Sequence, residues 1–366
     1  MLRQPLHLGS PHLSRALHSH SVADHGLRTT CWSLVDGSNT QLAVSPKYTD
    51  ARGVVFTPDG VCVLILERKA GVDAVLVFST TCWTKLACRW QAETNYTEEL
   101  VCTATSEVVL WDVDAVCLHA LDGLLLARFH DSSGGGIRAC VCSPQRGGPI
   151  ACLTHDHAML LLEPNTLECL AVLPHTPIVR GPPSAVVYRE EVAQSTPSSA
   201  VPGVRFMVSG FPVNISRPSA IGHSNSMPSK PSGGAATALS SCISWNRDGN
   251  VVAVRCETMP HCVWLWDIER LLLMSVLHLR GTVKSVSWEA EGGSRARLAV
   301  ATGGRHIYMW SPEGASTVTV PMDEFKVGTA QWSAAGSLLM VLNASGDAFT
   351  VGFASPTAVG KPRFHP

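Results

Sequence analysis

A segment that ends in tryptophan and runs into a glycine-containing turn recurs through this chain. Its three clearest copies read CISWNRDG, SVSWEAEGG and TAQWSAAG. Their tryptophans are 43 and 44 residues apart, at Trp245, Trp288 and Trp332. Weaker upstream copies of the pattern put three further residues at the equivalent position, namely Phe56, Cys102 and Cys142. A regular period constrains the fold more than composition does, because each copy must build the same unit.

Each period contains four short apolar runs separated by turns. The third run ends in Trp266 in one copy and in Trp310 in the next, again 44 residues apart, and Asp267 follows Trp266. A period of about 40–45 residues, with four strands and a Trp-Asp near the end of the third, is typical of a WD-repeat β-propeller blade. The sequence therefore predicts an all-β propeller of four-stranded antiparallel blades, either incomplete or with one degenerate blade.

One four-stranded sheet cannot bury both of its faces, whereas stacked blades cover one another. A second Trp-Asp, at Trp111-Asp112, is predicted to end a second strand, because the strong Asp122-Gly123 turn follows a further strand. The run LLLMSVLHL resembles a helix in isolation, but it falls where a fourth strand is due. The predicted blades are 51–90, 98–130, 137–173, 239–278, 282–320 and 326–353.

The remaining segments differ in composition. Residues 1–28 are predicted to be a disordered leader, although the absence of Asp and Glu from 1–23 is also compatible with a mitochondrial transit peptide. The propeller is assigned to 29–353, and 354–366 is a C-terminal tail. Residues 29–45 are expected either to pair with the last blade or to form the outer half of an incomplete one.

An insertion rich in Pro, Ser and Gly covers residues 174–238. It is either a decorated loop or a degenerate, partly paired blade, and two strand-like runs within it favour the blade. Its part from 216 to 237 has too little apolar content to fold alone and is expected to be exposed.

Composition excludes several functional classes. The net charge is −1 and no Lys/Arg run of five or more residues is present, so no nucleic-acid partner is expected. No apolar run is long enough to predict a membrane span. The 13 cysteines are spread through apolar runs, which favours a reducing compartment and no disulfide framework.

No catalytic residue, cofactor site or metal site is predicted. His155-Asp156-His157 falls at an expected hairpin turn and offers only two imidazoles. Gly134-Gly135-Gly136 precedes a strand rather than a helix, unlike a phosphate-binding loop. Two pairs of residues are interpreted as structural: Cys140 and Cys142 as packing residues, and Asp248 and Asp267 as turn residues that accept backbone N–H bonds.

Four segments, VWLWDIERLLLMSVL, LAVATGGRHIYMWSPEG, VVFTPDGVCVLILERK and AVVYREE, resemble the WD repeat-containing protein 8 family over residues 30–353. The resemblance implies a non-enzymatic scaffold of the cytoplasm and cytoskeleton, at the spindle pole, centrosome or basal body. The implied partners are a coiled-coil centrosomal adaptor and, in fungi, a minus-end kinesin. The implied role is microtubule minus-end anchoring and assembly of spindles or cilia.

The family carries further blades upstream, so this chain is expected to lack the N-terminal blades of its relatives. A second interpretation stays open, in which a propeller binds a small ligand or acts as an enzyme through its central channel. The first strands read ISW, VSW, AQW and VCS, and are poor in acids and histidine. That composition favours the scaffold.

Overall fold

In the part of the chain that the computed structural model describes, the named secondary-structure elements are β-strands, apart from the 3-10 turn Ala51–Gly53. The described residues divide into two compact units, one up to Leu173 and the other from Pro174 onward. They are 15–22, 26–33, 35–43, 45–48, 50–83, 85–180, 185–192, 204–216, 242–290, 296–322, 324–333, 338–346, 349–353 and 363–364.

The first unit contains one three-stranded sheet and three four-stranded sheets, in which strands adjacent in sequence pair antiparallel. The three-stranded sheet consists of β1 (Arg15–Val22), β2 (Gly26–Ser33) and β3 (Asn39–Ala43). The next consists of β4 (Val54–Phe56), β5 (Cys62–Lys69), β6 (Val72–Ser79) and β7 (Leu86–Gln91). The third consists of β8 (Glu99–Cys102), β9 (Val108–Trp111), β10 (Ala115–His119) and β11 (Leu125–His130). The fourth consists of β12 (Ile137–Cys142), β13 (Ile150–Thr154), β14 (Ala158–Leu162) and β15 (Cys169–Pro174).

The second unit begins with strands of the insertion, β16 (Ile178–Val179), β17 (Val186–Val192), β18 (Val204–Ser209) and β19 (Val213–Asn214). A blade follows with β20 (Ile243–Trp245), β21 (Val251–Cys256), β22 (Met259–Asp267) and β23 (Leu272–His278). The next blade has β24 (Ser285–Trp288), β25 (Leu298–Ala301), β26 (His306–Ser311) and β27 (Gly314–Thr319). The last has β28 (Val327–Trp332), β29 (Leu338–Asn343), β30 (Phe349–Phe353) and β31 (Arg363–Phe364).

The sheets pack face to face within each unit, so the cores lie between successive sheets. In the first unit Leu64 and Leu66 of β5 share a core with Leu100 of β8 and Leu110 of β9. The middle strands β9 and β10 are buried along their whole length, whereas the fourth strands β7 and β11 expose alternate residues. Each fully buried Leu or Val side chain stabilises such a core by about 1.5–3 kcal/mol. This burial explains the unbroken apolar runs of the middle strands.

The predicted hairpin at Asp122-Gly123 is also present, between β10 and β11. Gly123 has φ +95°, and a Cβ atom added there would lie 2.4 Å from the side chain of Trp90 in β7. Trp90 in turn donates its indole N–H to the carbonyl of Leu121 over 3.0 Å. Glycine is therefore required both by the left-handed backbone and by the close approach of the preceding sheet. As predicted, Trp111 ends a second strand and LLLMSVLHL contributes β23.

The disordered leader predicted for residues 1–28 is wrong where the structure describes this segment. Residues 15–22 form β1, and residues 26–28 open β2, with Arg15 opposite Ser33 and Val22 opposite Gly26. The polar composition of this segment does not prevent pairing, because a β-ladder is made by backbone groups. The rest of 1–28 lies outside the described residues.

Of the two alternatives for residues 29–45, pairing with the last blade is wrong, whereas membership of an incomplete blade agrees with the structure. Residues 26–33 and 39–43 belong to the sheet of β1, β2 and β3. The fourth strand of the last sheet comes from the predicted tail 354–366, where Arg363 pairs with Phe353 and Phe364 with Gly352. A hairpin with a short connection costs little loop-closure entropy, which favours this local partner.

The insertion extends a neighbouring blade instead of forming a four-stranded blade of its own. Strand β17 pairs parallel with β23, and β18 pairs antiparallel with β17, which gives a six-stranded sheet in the order β18-β17-β23-β22-β21-β20. Strands β16 and β19 form a separate two-stranded ladder. Residues 217–241 lie outside the described part, so the expected exposure of 216–237 stays a prediction.

The second unit offers a direct test of the packing between blades. Trp310 is 2% exposed and shares a core with Val263 and Leu265 of the neighbouring blade. Within its own blade, its ring is nearly perpendicular to that of Trp288, with the centroids 6.0 Å apart. Replacing a buried Trp by Ala typically lowers the free energy of unfolding by about 3–5 kcal/mol. We expect Trp310→Ala to shift the urea unfolding midpoint strongly, and Trp32→Ala, at a site 41% exposed, to shift it little. Equal shifts for the two variants would contradict the packing described here.

Candidate functional site

The six residues of the repeat ladder occupy one structural position. Each is the last residue of the first strand of its sheet. Trp245 and Trp332 are buried, and the other four are half-buried. The six are Phe56, Cys102, Cys142, Trp245, Trp288 and Trp332. The spacing therefore locates packing residues of the sheets and not reactive groups.

The residue that follows each ladder position closes the first hairpin of its sheet. Its backbone N–H donates to a carbonyl at the start of the second strand, over 2.8–3.1 Å in all six sheets. Five of these residues are buried and Ser333 is half-buried. All six are polar: Thr57, Thr103, Ser143, Asn246, Glu289 and Ser333. A role for this position was not predicted from the sequence, although the polar residue that directly follows each ladder residue indicates one.

The side chains at this position complete the same turns. The Thr57 hydroxyl accepts the backbone N–H of Cys62 over 3.0 Å, and Ser333 Oγ accepts that of Leu338 over 3.2 Å. Asn246 Oδ1 accepts two backbone N–H groups, from Val251 over 2.9 Å and from Asn250 over 3.1 Å. These bonds satisfy donors at the start of the second strand, where the residues are half-buried or buried and an unmade bond is costly.

The structure corrects the role predicted for Asp248. The turn bonds assigned to this aspartate are accepted by Asn246, two residues earlier, while Asp248 is exposed. Asp267 does act as a turn residue, since its Oδ1 accepts the backbone N–H of Arg270 over 2.9 Å. The two residues differ in burial: Asn246 directly follows the first strand, is buried, and directs its amide oxygen at the backbone N–H groups of the turn, whereas Asp248 is exposed.

The Trp-rich strand β22 is anchored by a residue of the insertion. Trp264 and Trp266 are both buried, and the ring of His175 lies edge-on to each, with centroids 5.0 and 5.8 Å away. Trp266 Nε1 donates to His175 Nε2 over 3.1 Å. Because an indole nitrogen only donates, His175 Nε2 carries no proton in this pair. Both tryptophans therefore serve packing.

A buried carboxylate attaches the inserted hairpin to the blades of the second unit. Glu190 of β17 accepts the hydroxyl of Tyr308 over 2.9 Å and the backbone N–H of Arg280 over 2.7 Å. Burial, with Glu190 as a second cause, raises the pKa of Tyr308 well above its usual range. On β18, the carbonyl of Val204 accepts the Thr317 hydroxyl over 2.6 Å. Glu190 is thus engaged in structural bonds and is not placed as a general base.

A second buried carboxylate, Asp73, ties two loops to β6 in the first unit. Its two oxygens lie 2.8 Å from Lys47 Nζ and 2.8 Å from Arg68 Nη1, and the backbone N–H of Thr97 donates to it over 2.9 Å. Burial lowers the pKa of Lys47, and the hydrogen bond to Asp73 opposes that shift. A carboxylate saturated by two cations and an N–H has a structural role rather than one in proton transfer.

The remaining sequence candidates lie in connections between strands. His155-Asp156-His157 forms the turn between β13 and β14, and Gly134-Gly135-Gly136 lies in the loop before β12. Across the described residues, no group of three or more His, Cys, Asp or Glu side chains is placed to hold a metal ion. None of those residues forms a helix of the length and apolarity needed to cross a bilayer.

Comparison with known proteins shows what this chain is similar to. No family model matches it. WD repeat-containing protein WRAP73 of Mus musculus is 29% identical over 342 residues, which cover 89% of this chain and 71% of the relative. The similarity supports a WD-repeat architecture for most of the chain.

Solved structures agree on the fold. A chain in the crystal structure of the Mitotic Checkpoint Complex matches with a TM-score of 0.52 and 11% identity, over 87% of this chain and 79% of that one. The Cps50 (Swd1) β-propeller domain of Myceliophteria thermophila matches with a TM-score of 0.53 and 9% identity, over 93% and 94%. The fold is that of a WD40 β-propeller. The predicted fold class is therefore confirmed.

The turn chemistry yields a matched pair of variants. Asn246→Ala leaves the backbone N–H groups of Asn250 and Val251 without their acceptor, and an unsatisfied buried donor costs about 1–3 kcal/mol. Asp248→Ala removes an exposed side chain from the same turn, so we expect a negligible change in the free energy of unfolding. Urea titration followed by tryptophan fluorescence measures both. A larger loss for Asp248→Ala would restore the original assignment of the turn.

Proposed function

We propose that this chain is a non-enzymatic protein-interaction scaffold. The observation that carries the proposal is the similarity of 89% of the chain to a WD repeat-containing protein. The chemistry of the buried carboxylates supports it, because Asp73 and Glu190 are engaged by cations, hydroxyls and backbone N–H groups that hold strands and loops together. Propellers of this kind present rigid loops and strand edges on which partners bind.

A second part of the proposal concerns the subcellular location of the protein and its binding partners. The segments VWLWDIERLLLMSVL and LAVATGGRHIYMWSPEG resemble the WD repeat-containing protein 8 family, whose members work at microtubule-organising centres. We propose that this chain works at the spindle pole, centrosome or basal body, bound to a coiled-coil adaptor and, in fungi, to a minus-end kinesin. Its role there is to support minus-end anchoring and the assembly of spindles or cilia.

Localisation in dividing cells tests this proposal. A fluorescently tagged copy should form one or two foci that coincide with a spindle-pole marker in mitosis. Affinity purification of the same tagged copy should enrich a coiled-coil protein. Trp310→Asp, which places a charge at a buried site, should abolish both signals, whereas Trp32→Ala should keep them because that side chain is exposed.

Two results would count against the proposal. A purely mitochondrial signal would favour a transit peptide in residues 1–23 and remove the basis for a spindle-pole role. A diffuse signal from a folded protein, with no coiled-coil protein recovered, would reject the specific partner and place while leaving the fold unaffected.

A further inference from the structure

Two buried thiols face each other between neighbouring strands of the first unit. Cys140 of β12 and Cys152 of β13 occupy directly opposite positions in the antiparallel ladder. Their Sγ atoms are 3.2 Å apart, and both side chains are 0% exposed. Neither residue belongs to the ladder positions or to the turns described above.

The backbone geometry of this pair suits a covalent link. Directly opposite residues of antiparallel strands have Cα atoms about 4.5–5.5 Å apart, within the range of about 4.4–6.8 Å found for disulfides. The Sγ atoms need to approach by only about 1 Å to reach a disulfide bond length near 2.0 Å.

We propose that Cys140 and Cys152 are a modification site at which a peroxide-class oxidant forms a reversible disulfide between β12 and β13. One thiol loses its proton, and the resulting thiolate attacks a peroxide oxygen, which breaks the O–O bond and forms a sulfenic acid. The departing hydroxide takes up the proton that the thiol released and leaves as water. The second thiol attacks that sulfur, the new S–S bond forms, and a second water leaves. Two thiols and one hydrogen peroxide thus give one disulfide and two waters.

Position in the ladder selects this pair over the neighbouring thiol. Cys142 lies two residues further along β12 and on the same face, but the residue opposite it is Ile150. No cysteine of β13 therefore lies opposite Cys142, so Cys142 cannot form a directly paired cross-strand disulfide. The ladder thus assigns the link to Cys140 and not to Cys142.

Burial sets the conditions under which the link forms. The apolar surroundings of Cys140 raise its thiol pKa well above the usual range, so the thiol stays protonated while the blade is closed. The reactive form is the thiolate, and the oxidant must also reach it. Oxidation of the first thiol therefore needs the β12–β13 hairpin to open. The disulfide forms as the strands pair again, and it then holds them together.

Mass spectrometry of the oxidised full-length chain tests the proposal. The chain is treated with hydrogen peroxide at a series of low urea concentrations, its remaining thiols are blocked with N-ethylmaleimide, and it is digested with trypsin without reductant. Cys140 and Cys142 fall on the peptide 139–146, and Cys152 and Cys169 fall on 147–180. We expect these two peptides to be joined, with fragment ions that place the link at Cys140 and Cys152.

Variants separate the alternatives. The joined peptides should persist in Cys142→Ser and in Cys169→Ser, disappear in Cys140→Ser, and separate on reduction with dithiothreitol. Their yield should rise with urea, because opening exposes the thiols. Fragment ions from the unsubstituted chain give the same answer if a serine variant does not fold.

The proposal is overturned if the peptides remain separate in both the unsubstituted chain and Cys142→Ser. It is equally overturned if the link persists in Cys140→Ser, or if fragment ions place it at Cys142 or Cys169. A yield that does not change with urea would refute the requirement for opening. The test does not depend on the proposed scaffold role, since it measures only the bond.

Discussion

The hydrogen bond that closes the first hairpin of each repeated sheet is the constraint on which the other contacts depend. It joins a polar residue directly after the first strand to the start of the second strand, in all six sheets that carry the ladder. The residues at this junction are buried or half-buried, and backbone polar groups that are withdrawn from water must be paired. Closing the hairpin fixes the register of the second strand, and register decides which side chains enter the core.

The inserted segment shows how a repeat fold accommodates additional chain. Strand β17 adds to β23 at the edge of a blade, and parallel pairing is possible because the two strands are far apart in sequence. Strand β17 is held by the ladder itself and by Glu190, and the bond between His175 and Trp266 attaches the start of the inserted segment to β22. An exposed strand edge is an aggregation hazard, and covering it with β17 moves the edge outward to β18.

Local features of the sequence predicted the repeated blades well. The spacing of the ladder located the end of the first strand in the six sheets that carry it. The Asp122-Gly123 turn correctly placed Trp111 at the end of a second strand rather than a third. The sequence did not predict which side chain of the turn is buried and accepts its backbone N–H groups. Asn246 and Asp248 are chemically similar and differ only in which one faces inward. The pairing of β17 with β23 was not predictable either, since no periodicity links two strands that are distant in sequence.

Residue-resolved hydrogen exchange of the native chain tests the central claim most directly, since it reads backbone bonds one at a time. The amides to follow are those of the residues after the ladder, Thr57, Thr103, Ser143, Asn246, Glu289 and Ser333. The account predicts that these six amides exchange as slowly as the middle of the second strands, and far more slowly than the amide of the exposed Asp248 in the same kind of turn. Exchange of the six amides at the rate of Asp248 would contradict it.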